Sequence, residues 1–129
     1  MVDSAAVMLI HAQAYLASAR QNLAAGPQQY AVAYDEARHA LEIAGKAWLE
    51  KARGGHPRDH RIGAKLFQEG LIQDREAVKR LNQVLDHHTR ASYGYEERFT
   101  EHEIEEVISD AEAMIRQVEA WSAKVSSDA

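Results

Sequence analysis

The sequence lacks cysteine, and its 129 residues include only 2 prolines and 7 glycines. The absence of cysteine excludes thiolate metal sites, cysteine nucleophiles and a disulfide framework. So few turn-forming residues argue against a many-stranded β protein. No apolar run approaches the roughly 20 residues that cross a bilayer, and no basic segment followed by an apolar one marks a signal peptide. We therefore expect a cytoplasmic protein with no membrane association that forms one domain over residues 1–129, with a frayed tail at 125–129.

Charge is distributed unevenly along the chain, although the formal net charge is only −5. Residues 46–65 contain six Lys and Arg against two acidic residues, which gives +4, whereas residues 96–119 contain nine acidic residues against two Arg, which gives −7. Either these are two solvated faces of opposite sign, or the basic stretch is a patch that binds phosphates. The overall acidity argues against a general nucleic-acid coat and leaves a local phosphate site open.

The first two segments of the chain have the pattern of long helices joined by a tight turn. Apolar residues recur every three or four positions over 5–23 and again over 30–48, which is the spacing of an amphipathic helix. Gly26 ends the first helix, and Pro27 fits the first turn of the second, where its missing N–H costs nothing. The second helix runs to about Ala52 and breaks at the following glycines.

Three further segments follow the same helical pattern. A short helix with Asp59 as its candidate cap carries Ile62, Leu66 and Phe67 and ends at Gly70. A fourth begins near Asp74, and the last begins at Thr100, where Thr100 and Glu103 form a capping box. Brief connections make successive helices antiparallel neighbours. The sequence therefore predicts an all-α fold, an up-and-down four-helix bundle with one short extra helix.

Alanine is concentrated on the second predicted helix, at Ala33, Ala37, Ala40, Ala44 and Ala47. Small residues on two adjoining sides of a helix allow other backbones to approach closely. This pattern favours a central helix of the bundle, and the alternative is that one alanine-rich side is a subunit interface.

One pair of residues on the second helix has the spacing of a metal-ligating motif. Glu36 and His39 stand three positions apart and project from one face, as in di-iron bundles. Such a site needs a second pair of this kind and two further glutamates on facing helices, and no other predicted helix supplies the second pair. We therefore expect no metal and no cofactor.

Three stretches of the sequence, taken in order, carry a family resemblance. The second helix reads AYDEARHALEIAGKAWLEKARGG, the loop and short helix read HPRDHRIGAKLFQEGLI, and the fourth helix ends in RASYGY. This order, over residues 5–121, resembles the HEPN domain (higher eukaryotes and prokaryotes nucleotide-binding). His60 falls where the family has a loop histidine, and Arg90 and Tyr95 match the ends of its Arg-x-x-Ala-Asp-Tyr motif. Tyr93 and Gly94 stand where Ala and Asp are commoner.

The resemblance implies two classes of function. Many members are dimeric, metal-independent RNA-cutting toxins with an Arg followed after four to six residues by a His. Counted from Arg90, the positions for that histidine hold Tyr95, Glu96 and Glu97. A formal match at Arg53 and His60 lies in a different loop. Members without the signature bind nucleotides or partner proteins, often beside a small nucleotidyltransferase in a toxin–antitoxin pair.

We therefore expect a homodimeric, non-catalytic domain that binds a nucleotide, RNA or a partner protein such as a nucleotidyltransferase. Arginine pairs with phosphate oxygens and a tyrosine ring stacks on a base, which makes the candidate binding residues Arg53, Arg58, His60, Arg61, Arg90, Tyr93 and Tyr95. In the alternative structural interpretation, Arg90 pairs with Asp86 and the tyrosines pack a turn. Two other functions stay open: a ribonuclease with His60, His87 or His88 as the base, and a pure oligomerisation module.

Overall fold

Helices account for the regular structure of the protein over the residues that the computed structural model describes, which are 3–56, 61–86 and 99–127. Within these ranges no strand occurs, and the predicted all-α class is confirmed. The helices are α1 (Ser4–Ala25), α2 (Tyr30–Arg53), the short α3 (Ile62–Gln68), α4 (Arg75–Asp86) and α5 (Glu101–Ser127). In the described part of the chain, no helix is both long and apolar enough to cross a membrane.

Local hydrogen bonds explain where the helices begin and end. Asp3 caps α1, because its side chain accepts the N–H groups of Ala5 and Ala6. The capping box at the start of α5 is confirmed: the Glu103 amide donates to Thr100 Oγ1 at 3.1 Å, and the Thr100 amide donates to Glu103 Oε1 at 3.1 Å. Gly54 ends α2 in the left-handed region, with φ of 76°.

One boundary differs from the predictions. Pro27 does not begin α2 but opens a 3₁₀ turn, Pro27–Gln29, and α2 starts at Tyr30. Such turns are frequent where an α-helix begins. The last helix, α5, extends to Ser127, and the sequence contains no glycine or proline after Gly94 that would end it earlier.

The helix α2 lies at the centre of the bundle, and the prediction of a central helix is confirmed. Five of its alanines, Ala33, Ala37, Ala40, Ala44 and Ala47, are 0% exposed, with α1, α3 and α5 packed around it. Contact with α3 is so close that a Cβ added at Gly45 would lie 2.6 Å from Ile62 Cγ2. The outer helices α1 and α5 run antiparallel. Gln13 donates a hydrogen bond to Glu119, whereas Arg20, further along α1, donates one to Glu112, which is earlier in α5.

Candidate functional site

Charged side chains are buried on one side of α2. Within the described ranges, Arg38 is 2% exposed and Glu42 is 4% exposed, and no other buried side chain is charged. The two residues are one helical turn apart, in a row that starts at Tyr34 and continues beyond Glu42 to Gly45, which contacts α3. Burial of charge is costly unless the charges are paired. The burial of Arg38 and Glu42 therefore depends on the ion pairs that they form.

The pairing involves five neighbouring residues of α2, which we call the α2 charge cluster: Asp35, Arg38, His39, Glu42 and Lys46. Arg38 Nη2 lies 3.1 Å from Asp35 Oδ1, and Arg38 Nη1 lies 3.5 Å from Glu42 Oε2. Lys46 Nζ lies 3.9 Å from Glu42 Oε1. The two carboxylates and two cations balance in charge. Among the described residues, the buried Nε of Arg38 has no hydrogen-bond acceptor, so one donor of the guanidinium is left unpaired.

The cluster opens to solvent along one edge, where His39 lies. The side chain of His39 is 39% exposed, its Nδ1 lies 3.8 Å from Glu42 Oε2, and its ring meets the ring of Tyr15 edge-on at 4.6 Å between centroids. Burial lowers the pKa of His39 below its ordinary value, and the charge of Glu42 opposes that effect without cancelling it. The imidazole is therefore neutral at pH 7 and can accept a proton.

Two other parts of the chain meet α2 one turn before Arg38. The ring of Phe99, where the described chain resumes before α5, stacks on the ring of Tyr34 at 4.2 Å with an interplanar angle of 16°. Val84, in the last described turn of α4, lines a cavity of about 180 Å³ together with Tyr34. The described ends on both sides of residues 87–98 therefore lie next to Tyr34, and Tyr34 and Arg38 are neighbours on the same face of α2.

Most of the site residues predicted from the sequence lie outside the described residues. These are Arg58, His60, Arg90, Tyr93 and Tyr95, together with the alternative bases His87 and His88. Arg61 directly precedes α3, and Arg53 is the last residue of α2, with Nη1 3.8 Å from Glu69 Oε1. At 1.5 Å per residue, Arg53 lies about 22 Å along the helix axis from Arg38. The structure therefore does not bring Arg53 to the charge cluster.

The basic stretch at 46–65 is partly neutralised by distant carboxylates. Lys51 Nζ lies 3.4 Å from Asp3 Oδ2 at the start of α1, and Arg53 and Lys46 also face carboxylates. The local charge of +4 in the sequence therefore overstates the positive potential of this surface, because its partners come from residues outside the stretch.

The Glu36 and His39 pair does not form half of a metal site. Asn22 of α1 donates a hydrogen bond to Glu36 Oε1, whereas His39 faces Glu42 and Tyr15. Across the described ranges, no group of three or more His, Asp and Glu side chains is arranged to hold a metal ion.

One cavity lined by described residues carries carboxylates that oppose phosphate. It measures about 380 Å³, lies between α2, α4 and α5, and has Trp48 and Met114 on its walls and Asp74 at its edge. Its cation, Arg80, is already bound to Asp110 at 3.0 Å; that hydrogen bond and the charge of Asp110 raise the pKa of Arg80. An anion in this cavity would meet carboxylates with no unpaired cation to offset them.

Sequence reasoning missed the charge cluster, although a signal was present. Arg38 and Glu42 stand one turn apart in a row otherwise occupied by Tyr34, Gly45 and Leu49. A charged pair inside an apolar and small-residue row indicates buried charge, and here it indicates a candidate binding site.

Comparison with known proteins agrees with this architecture. The family model of the HEPN domain matches residues 5–121, the span over which the sequence resembles that family. No curated protein matches the chain significantly.

Proposed function

The chain belongs to the HEPN domain family, and we propose that it binds the phosphates of RNA or of a nucleotide without cutting RNA. At the level of the family, it is a helical domain of nucleotide-binding or ribonuclease-like type. The observation that carries the proposal is the α2 charge cluster, in which Arg38 is buried and keeps a donor without an acceptor. Arginine and lysine side chains both pair with phosphate oxygens, and Lys46, with a side chain that is 21% exposed, is the cation of this cluster that solvent reaches.

A phosphate needs more positive charge than the cluster itself supplies, because its two carboxylates offset Arg38 and Lys46. We assign the additional charge to Arg90, and stacking on a base to Tyr93 and Tyr95. Two contacts support this assignment. Before residues 87–98, Val84 lines a cavity together with Tyr34, and after them Phe99 stacks on Tyr34. The described residues that flank this segment, Val84 and Phe99, therefore meet the bundle one turn from Arg38.

The basic loop residues Arg53, Arg58, His60 and Arg61 provide a second contact in this proposal. Arg53 lies about 28 Å along the helix axis from Tyr34, at 1.5 Å per residue. A mononucleotide does not span this distance, whereas a short RNA strand does. We therefore favour RNA over a mononucleotide as the ligand that uses both groups.

The absence of cleavage rests on the sequence of the family motif. Tyr95, Glu96 and Glu97 occupy the positions at which ribonuclease members carry histidine, and a glutamate there adds negative charge close to the RNA. We further propose that the domain acts as a homodimer beside a nucleotidyltransferase partner, as in toxin–antitoxin pairs.

The test is a titration of fluorescently labelled mononucleotides and short RNA with wild type, Arg90→Ala, Lys46→Ala and Arg53→Ala. We expect Arg90→Ala and Lys46→Ala to weaken RNA binding at least tenfold and to reduce its salt dependence, since each lost phosphate contact lowers that slope by about 0.7 for a single strand. Arg53→Ala should weaken the binding of RNA but not of mononucleotides.

A matched control is Arg116→Ala, which removes an equal charge from an arginine of α5 that is 75% exposed and paired with Glu112. RNA binding should be unchanged in this variant. Wild type that binds neither ligand would exclude the proposal, and equal losses in Arg116→Ala and Arg90→Ala would reduce it to nonspecific electrostatics.

A second candidate function, metal-independent RNA cleavage, is favoured by one observation. His39 is neutral and lies beside Arg38 in the same cluster, so the cluster contains both a base for the ribose 2′-OH and a cation for the phosphate. Incubation of RNA with the protein in EDTA tests this function. Cleavage lost in His39→Gln would assign the base to His39 rather than to His60, His87 or His88, and intact RNA with wild type would eliminate the function.

A further inference from the structure

The cavity of about 380 Å³ between α2, α4 and α5 exists because two small residues face it. Arg80 of α4 joins α5 beside the cavity, with its Nε 3.0 Å from Asp110 Oδ2. Ala77 and Ala113, each about one turn from that ion pair on its own helix, both line the cavity. Their short side chains leave open the space that larger residues would fill. The volume lies within the range of about 300–1,000 Å³ that small-molecule sites occupy.

The walls of the cavity are mainly apolar. They are contributed by α2, by the connection between α3 and α4, and by α4 and α5. The large apolar side chains among them are Leu41, Trp48, Leu71, Ile72, Leu81 and Met114. Sites for small molecules combine walls of this kind with a few polar groups that orient the ligand.

One of these wall residues, Trp48, carries a buried polar atom. Its side chain is 5% exposed, and within the described ranges its buried Nε1 has no hydrogen-bond acceptor. Indole N–H groups usually find an acceptor when they are buried, and a buried donor without one is unfavourable. A ligand in the cavity that supplies an acceptor to Trp48 would remove this unfavourable contribution.

The charged residues of the lining determine which ligands the cavity disfavours. Asp74 and Asp110 both line it, and its lining cation, Arg80, is paired with Asp110. Asp74 also accepts the backbone N–H of Glu76 at 3.0 Å, at the start of α4. These carboxylates repel an anionic ligand, because the remaining lining residues carry no positive charge to offset them.

We propose that this cavity binds an uncharged small molecule that has an apolar body and an oxygen atom that accepts a hydrogen bond from Trp48 Nε1. The apolar walls hold the body of the ligand, Trp48 orients its oxygen, and the two carboxylates select against anions. The site is separate from the proposed phosphate site, because neither Arg38 nor Lys46 lines the cavity.

The first test is a fluorescence titration with prodan, an uncharged naphthyl ketone whose emission moves to shorter wavelength in apolar surroundings. We expect saturable binding of one prodan per chain. Anilinonaphthalene sulfonate, an anion with a similar aromatic body, should bind at least tenfold more weakly because of the two carboxylates.

A variant that fills the cavity tests where the dye binds. Ala113→Phe places a large side chain in the cavity at an exposed position of α5, and it should weaken prodan binding at least tenfold. The matched control is Ala123→Phe, at an exposed position of the same helix that does not line the cavity. It should bind prodan like wild type, and unchanged helical circular dichroism in both variants excludes misfolding.

A second variant tests the hydrogen bond. Trp48→Phe keeps an aromatic wall and removes the N–H, so prodan should bind roughly three- to tenfold more weakly, as expected for one hydrogen bond. The emission of the bound dye should also move to shorter wavelength, because its ketone loses a donor. The control is Trp121→Phe, which removes a tryptophan that does not line the cavity and should leave both readouts unchanged.

Four results would overturn the proposal. These are a wild type that shows no saturable prodan binding, unchanged affinity in Ala113→Phe, equal affinity for the anionic dye, and unchanged emission of the bound dye in Trp48→Phe. RNA binding by a protein that does not bind prodan would leave the proposed function intact.

Discussion

The two sides of α2 are equally buried but differ in chemistry. One side carries alanines at 0% exposure, such as Ala40 and Ala44, and the other carries Arg38 and Glu42 at 2% and 4%. The alanine side needs only small volume to let neighbouring helices pack closely. The charged side requires the desolvation of two ions, which packing does not demand. The alanine side therefore determines the architecture of the bundle, and the charged side is the candidate binding surface.

The largest expected effect is that of Arg38→Ala on stability. The substitution removes the guanidinium that lies 3.5 Å from the buried carboxylate of Glu42, and loss of one partner of a buried ion pair costs about 3–5 kcal/mol. Urea denaturation of wild type and variant measures this loss as a change in the free energy of unfolding.

A double variant distinguishes a structural role of the charges from a functional one. Arg38→Met with Glu42→Leu replaces the pair by apolar side chains, and such replacements are often neutral or stabilising. We expect the double variant to regain most of the stability lost in Arg38→Ala and to bind RNA no better than that variant. If the double variant were as unstable as Arg38→Ala, the charges themselves would be needed to hold this side of α2.

The alanine side should lose stability when a larger side chain is introduced, since no larger residue fits there. Ala44 is 0% exposed within the core, and the insertion of extra methylene groups into a well-packed core costs about 1–3 kcal/mol. Ala44→Leu should therefore lower the free energy of unfolding by this amount in the same urea experiment. Ala120→Leu, the same substitution at an exposed position of α5, is the control and should have little effect. Equal stability of both variants would mean that the alanine side tolerates volume.

The two sides also differ in how far the sequence predicts them. Apolar periodicity, the capping box at Thr100 and the alanines of α2 are local patterns, and they predicted the helices and the central position of α2. The charge cluster leaves a weaker signal in the sequence, because an Arg38 and Glu42 pair at this spacing also describes an exposed ion pair and only its place in an apolar row favours burial. Only the packing of α2 inside the bundle shows that both side chains are buried.

The basic stretch illustrates the same limit. Its net charge can be counted in the sequence, but Asp3 and Glu69, which face Lys51 and Arg53, cap the ends of other helices. Helix positions follow from local periodicity and are predictable from the sequence, whereas ion pairs between separate parts of the chain are not.

The smallest expected effect concerns His39, which lies where the two sides of α2 meet, between Tyr15 of α1 and Glu42 of the cluster. Burial lowers the pKa of His39 in the folded protein below its ordinary value of 6.5, so the folded state binds fewer protons than the unfolded state as the pH falls. The stability that His39 contributes is complete above about pH 6.5 and is lost as the pH falls through the folded-state pKa.

Urea denaturation at a series of pH values should show that wild type loses stability between pH 7.5 and 5.5 more steeply than His39→Gln. His11→Gln, at an exposed position of α1, serves as the control and should keep the steeper slope of wild type. If the free energy of unfolding depended on pH in the same way in wild type and His39→Gln, His39 would be solvated rather than part of the buried cluster. That result would also exclude His39 as the base in the second candidate function.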